Sequence, residues 1–170
     1  MKYLLLHGLR QSSASWDSVT AELAQRKQIL RPNLANWIRS KEPTYANLYQ
    51  ALEEYCNYFV EPLHLCGNAL GGMLALQYGA EHPEKVKSLV LIDTFYKISG
   101  GLSALQALRL RVMPESSFPS EGFGKKQCIA IWKSMRGLNL EESLEKLSCP
   151  VRTVRAQDSR NGLLYLDALL

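Results

Sequence analysis

Residues 63–72 read LHLCGNALGG, and this stretch constrains the fold more than any other. Leu63–Cys66 has the length and apolar character of a buried strand. The segment from about Leu70 to Glu81 reads as a helix that ends before Pro83. Between them lies a turn packed with glycines, in which side chains at Gly67 and Gly71 would crowd the chain. In a chain that alternates strands with helices, such a turn implies a parallel sheet covered by helices on both faces. The apex of the turn is Ala69, a residue with no reactive group.

The rest of the chain keeps the same alternation. Tyr3–Leu6 is a short apolar run ending in His7-Gly8 and reads as a buried strand. Ser15 is placed to cap a helix carrying Trp16, Val19 and Leu23 on one face. Gln28–Leu30, closed by Arg31-Pro32, reads as a second short strand. After Pro43, Thr44 is the N-cap of the clearest helix, in which Tyr45, Leu48, Tyr49, Leu52, Tyr55, Cys56 and Phe59 recur at three- and four-residue steps. VKSLVLI, ending at Ile92, has the aliphatic bias of a buried parallel strand. From Thr94 to about Asn139 the strand pattern stops, and LSALQALRLRVM and KKQCIAIWKSM read as two helices separated by a Pro/Ser/Gly loop. Asn139 followed by Glu142 has capping-box spacing for a helix with Leu140, Leu144 and Leu147. VRTVRA, after Cys149-Pro150, reads as a last strand that delivers Asp158 to its C-terminal end. Sites in such sheets lie at strand C-termini near the point where strand order reverses. His7-Gly8, the glycine turn and Asp158 all fall at such ends.

Four segments come in one order: LLLHGL at 4–9, GNALGG at 67–72, EHPEKVKSLVLID at 81–93, and CPV with the later Asp158. In these segments the chain resembles the α/β-hydrolase superfamily, specifically its small single-domain, esterase-like serine hydrolases. The resemblance runs across essentially the whole chain. It implies an α/β fold, a doubly wound and mostly parallel sheet, with 1–170 as one domain and a short helical cap at 95–139. The implied strand order is second, first, third, fourth, fifth. In the family's G-x-S-x-G turn the serine is the nucleophile, so Gly67 and Gly71 match the glycines and Ala69 stands at the nucleophile position. The backbone N–H groups of Leu70 and Leu9 match the oxyanion-hole donors, with His7, Gly8 and Asn68 beside them. Asp158 matches the acid that orients the catalytic histidine, although AQDSRNG lacks the usual preceding glycine and a solvated loop carboxylate is the rival reading. The implied ligand is a small acyl or ester-type molecule, with no cofactor and no metal.

Two parts of that machine are missing from the sequence. Ala69 has no hydroxyl, and no histidine follows Asp158; His7, His64 and His82 all precede it. His7 reads as a hydrogen-bonding scaffold, His64 as a packed or partly exposed strand residue, and His82 as a surface residue at a helix end. Asp93, also at a strand end, reads as structural. The fold is therefore expected to be truncated at its C-terminus, to leave an unpaired sheet edge open to self-association, and to be inactive or nearly so. Losing the serine or the histidine of a triad costs roughly a million-fold in kcat. Cys66, on the strand rather than at the apex, and Asn68, which is not nucleophilic, are poor substitutes. A non-catalytic module that binds small ligands on the same fold is the alternative. A phosphate-binding turn fits worse, because the spacing is neither G-x-G-x-x-G nor that of a P-loop.

Composition excludes other classes. The apolar share of 46% and charged share of 21% are those of a globular domain. The net charge of +4 comes partly from Arg109, Arg111, Lys125, Lys126, Lys133 and Arg136. These are scattered without aromatic stacking residues, so they read as a solvated face and not as a nucleic-acid site. Cys56, Cys66, Cys128 and Cys149 show no metal-ligand spacing. No apolar run approaches the roughly 18 residues of a membrane span. MKYLLLHG is too short for a signal peptide, and the expected location is cytoplasmic.

Overall fold

The computed structural model describes residues 1–23 and 28–155. Among them β1 (Lys2–Leu6), β2 (Gln28–Leu30), β3 (Leu63–Asn68), β4 (Val86–Ile92) and β5 (Val151–Val154) form one sheet in the order β2-β1-β3-β4-β5. Every pairing is parallel. This is the order the resemblance implies. Asp158 lies outside the described residues.

The central strands β1, β3 and β4 are rich in buried aliphatic residues because both faces of the sheet are covered there, whereas the edge strand β5 is largely exposed. Successive side chains point to opposite faces. Leu4, Leu6, Leu65, Leu89 and Leu91 join one core, while Tyr3, Leu5, Cys66, Val90 and Ile92 join the other. The second core is closed by Trp16, Val19 and Leu23, from a 3₁₀ turn (Ser13–Trp16) and α1 (Asp17–Leu23). That apolar face matches the sequence reading, but its cap is Ser12, not Ser15. The chain enters through the 3₁₀ turn, so the cap falls earlier, where the Ser12 hydroxyl accepts from the Ala14 N–H at 3.3 Å.

The first core is covered by α2 (Leu34–Trp37), α3 (Tyr45–Cys56) and α4 (Leu70–Glu81), and it continues into the segment after β4 through Leu110, Phe123, Cys128, Ile131 and Trp132. Thr44 caps α3 as its sequence predicts, with its hydroxyl accepting from the Asn47 N–H at 3.2 Å. Phe59 lies beyond the end of α3 but continues its apolar stripe, edge-on to Tyr55 at 5.5 Å. Four-residue α2, capped by Asn33, has no periodicity to read and is absent from the sequence expectation.

After β4 the chain leaves the sheet to form the helical cap, α5 (Gly100–Val112) and α6 (Lys125–Ser134). The excursion closes on itself: Lys97 and Asn139 form an antiparallel bridge, and the Ile98 N–H donates to the Leu138 carbonyl at 2.9 Å. The two helices are joined by the Trp132 indole N–H, which donates to the Ser103 carbonyl at 2.9 Å. α7 (Glu141–Glu145) then leads to β5. Its expected capping box does not form. The Asn139 side chain accepts from the Glu141 N–H at 3.0 Å, and Glu141, not Glu142, takes the bond from Asn139 in return.

Candidate active site

The crevice that this topology implies lies at the C-terminal ends of β1, β3 and β4. Ala69, between β3 and α4, has φ 46° and ψ −107°, a region where L-residues with a Cβ are strained. The residue is pinned on both sides. Its N–H donates to the Ile92 carbonyl at 2.9 Å, and its carbonyl accepts from the Met73 N–H at 3.0 Å. Close packing explains the glycines. A Cβ on Gly67 would collide with the backbone of Gly71 and Gly72, and one on Gly71 with the Leu6 carbonyl of β1. Gly72 leaves room for the Thr94 hydroxyl. The strain yields a stability prediction. Ala69→Gly relieves a backbone cost of about 1–3 kcal/mol against roughly 0.5–1 kcal/mol of added unfolded-state freedom. Its melting temperature is expected to rise by about 2–4 °C in a thermal scan, and a fall would reject the strain.

Leu70 opens α4, and its N-cap Ala69 has no side chain that could accept a hydrogen bond. The first N–H groups of a helix lack intrahelical acceptors, so the buried α4 N-terminus faces the crevice as a set of donors with the positive end of the helix dipole behind them. Across from it, β1 ends in His7-Gly8, and a Cβ on Gly8 would stand 3.5 Å from the Asn68 carbonyl. The two loops therefore touch, as parallel neighbours β1 and β3 require.

Four bonds hold the β1 loop in place. The Gly8 N–H donates to Gln11 Oε1 at 2.7 Å. His7 Nε2 accepts from the Leu34 N–H at 3.0 Å, which puts the ring proton on Nδ1, 2.9 Å from the Gly8 carbonyl. The Cys128 thiol, from α6, donates to the Leu9 carbonyl at 3.3 Å. Burial pushes that thiol up to about 12, so it stays protonated. Gln11, Leu34 and Cys128 were not singled out by motif. Cys128 is 119 positions from Leu9, and no local pattern announces such a contact.

His7 is thus a scaffold with both ring nitrogens engaged. Burial pulls its pKa below the ordinary 6.5. The unfolded chain takes up this proton at a higher pH than the native one, so the His7 contribution is complete above 6.5 and is lost as the pH falls through the native value. Melting temperature is expected to decline from neutral pH toward about pH 5, and part of that slope should vanish in His7→Gln; an unchanged slope would reject the assignment. His64 stacks on Tyr3 with ring centroids 4.5 Å apart and meets the Ser88 hydroxyl at 2.7 Å. It sits five residues before Ala69 on β3, about 16 Å away. His82 is half-buried, not surface-exposed, because Tyr78 packs against its ring and Glu53 bonds its Nε2 at 2.9 Å. It ends α4, about 18 Å from the turn. Asp93 ends β4 with φ 45°, and its N–H donates to the Val154 carbonyl at 3.0 Å. Cys66 is buried on the α1 side, and burial pushes its thiol up to about 12.

A family profile for the alpha/beta hydrolase fold matches residues 4–159. The chain is 30% identical over 89 residues to a pimeloyl-[acyl-carrier protein] methyl ester esterase of Nitrosomonas europaea, covering 52% of this chain and 35% of that protein. It is 30% identical over 107 residues to a 2-hydroxymuconate semialdehyde hydrolase of Pseudomonas sp. (strain CF600), covering 54% of this chain and 36% of that one. The aligned stretch is thus 35% and 36% of the length of these curated relatives. Among solved structures, an enol-lactonase from Burkholderia xenovorans LB400 superposes with TM-score 0.78 at 14% identity, covering 99% of this chain and 87% of that one. With the family's profile matched over most of the chain, and its strand order and strained turn in place, this protein belongs to the alpha/beta hydrolase fold family.

Proposed function

We propose that this chain descends from a serine hydrolase of small esters or related acyl compounds, and that as it stands it binds such compounds without turning them over. The observation that carries the reading is Ala69 itself. An alanine gains nothing from φ 46° and ψ −107°, whereas a nucleophile held there projects into the crevice at the head of a helix. The turn is built for a reactive side chain, and methyl stands in its place. In this reading the Leu70 and Leu9 N–H groups receive the ligand's carbonyl oxygen. His7, Gly8 and Asn68 set the spacing between them, and the cap covers the ligand. Asp158 stands at the position of the family's orienting acid, with none of the three histidines in place beside it in this reading.

The esterase, hydrolase and enol-lactonase among its relatives support an acyl or ester-type ligand class. The test is a panel of p-nitrophenyl esters, alkyl esters and lactones, read by calorimetry and by hydrolysis. Saturable binding with no hydrolysis above a matched denatured control is expected. Clear turnover would overturn the loss of chemistry, and a null result across the panel would overturn the retained binding.

A further inference from the structure

The outward side of the cap differs from the rest of the molecule in charge and in polarity. Residues 95–139 carry seven Lys and Arg against Glu115 and Glu121, a net +5, where the whole chain is +4. The remainder is therefore close to neutral, and the cap holds the entire excess. Along α5 the inner side is set by Ser103 and Leu110, 4% and 0% exposed, against Trp132 of α6. Directly opposite stand Leu105, Leu108 and Val112, 67%, 57% and 73% exposed. At 3.6 residues per turn these three fall within about 60° of the helix circumference, so they form one ridge. Arg109 and Arg111, both exposed, flank the ridge on its two sides. Two more cations gather where α5 ends. Arg10 Nη1 lies 3.5 Å from the Met113 sulfur, and Lys125 Nζ donates to the Met113 carbonyl at 2.7 Å.

Single exposed leucines are ordinary on a protein surface. An aligned ridge of three, bordered by arginines, is the pattern of a helix that lies in a lipid–water interface. The aliphatic side chains enter the acyl boundary while the long basic side chains reach out to the headgroups. No helix among the described residues is long and apolar enough to cross a membrane. Facing a second copy would set two caps of net +5 against each other, which disfavours a like-with-like pair. We propose that the α5 face of the cap docks on an anionic lipid surface, with Leu105, Leu108 and Val112 inserted and Arg109, Arg111, Arg10 and Lys125 at the headgroups. This does not depend on whether the crevice binds or transforms a ligand.

The test is co-sedimentation of the protein with phosphatidylcholine vesicles, with and without phosphatidylglycerol. Binding is expected to the anionic vesicles and to be weak on phosphatidylcholine alone. Arg109→Gln with Arg111→Gln should lower the partition coefficient about fivefold per charge removed. Leu105→Ser, Leu108→Ser and Val112→Ser combined should lower it about tenfold or more, with far-UV circular dichroism and melting temperature held, since all three are exposed. Leu108→Asp alone serves as a second variant should the triple change disturb α5. Absence of binding to anionic vesicles would overturn the proposal. So would ridge variants that bind as the parent does, because charge alone would then hold the protein and an acidic macromolecule would be the better partner.

Discussion

Gly71→Ala is expected to leave the protein without a cooperative fold. The added Cβ would lie inside the contact distance of the Leu6 carbonyl oxygen, carbonyl carbon and Cβ. No rotamer change relieves a clash with backbone. α4 would have to lift away from β1, opening the core that Leu6, Leu70, Met73 and Leu74 fill. Overpacking that side chains can absorb costs about 1–3 kcal/mol. One that separates two main-chain elements belongs with the rare changes above about 4–5 kcal/mol. The total stability of a domain is only about 5–15 kcal/mol. Urea unfolding followed by circular dichroism should show a lost or greatly weakened transition. Gly79→Ala, on the same helix, is the control. Its Cβ meets side chains only, the nearest being Leu147 Cδ2 at 3.2 Å, and about 1 kcal/mol of helix propensity offsets the adjustment. Equal stability of Gly71→Ala and its parent would show that helix and strand are not packed as described.

Ala69→Ser is expected to restore the hydroxyl and not the hydrolysis. A serine at this turn needs a base within about 2.6–3.2 Å to take its proton, and the three histidines of the chain are committed elsewhere. His7 is held between Leu34 and Gly8, while His64 and His82 sit at the far ends of β3 and α4. Without the base a triad enzyme loses roughly a million-fold, and the losses of serine and histidine overlap instead of multiplying. Whatever residual rate main-chain donors supply, on the order of 10³–10⁴ over water in intact sites, is available to parent and variant alike. Initial rates on p-nitrophenyl acetate should therefore coincide. A burst of p-nitrophenol, or steady turnover well above the parent, would mean that another group serves as base.

The parts of this protein legible in its sequence are those with a local physical cause. The stripe from Tyr45 to Cys56 is one face of a helix because its spacing matches the helical turn. The aliphatic run Val86–Ile92 is a strand buried on both faces because a strand with one wet face would alternate. Glycines at 67 and 71 announce a close approach, since only their lack of a Cβ lets backbone meet backbone. Caps are less legible. Ser12 caps in place of Ser15, three residues later, because the chain enters α1 through a 3₁₀ turn, and Glu141 pairs with the Asn139 side chain in place of Glu142 because a one-residue shift changes which groups meet.

What the tertiary structure decided is everything carried by contacts distant along the chain. The roles of the histidines depended on it: Leu34 and Gly8 engage His7, and Tyr78 and Glu53 half-bury His82. It brought Cys128 of the cap onto the Leu9 loop, and it turned one side of α5 outward with its leucines exposed. The sequence alone determined that a parallel α/β sheet would carry a glycine-lined strand-to-helix turn with alanine at its apex, because turn sterics and strand patterning act over a few residues. Only the folded molecule decided that the alanine is held at φ 46°, since that strain persists through the Ile92 and Met73 bonds and not through any preference of the residue itself.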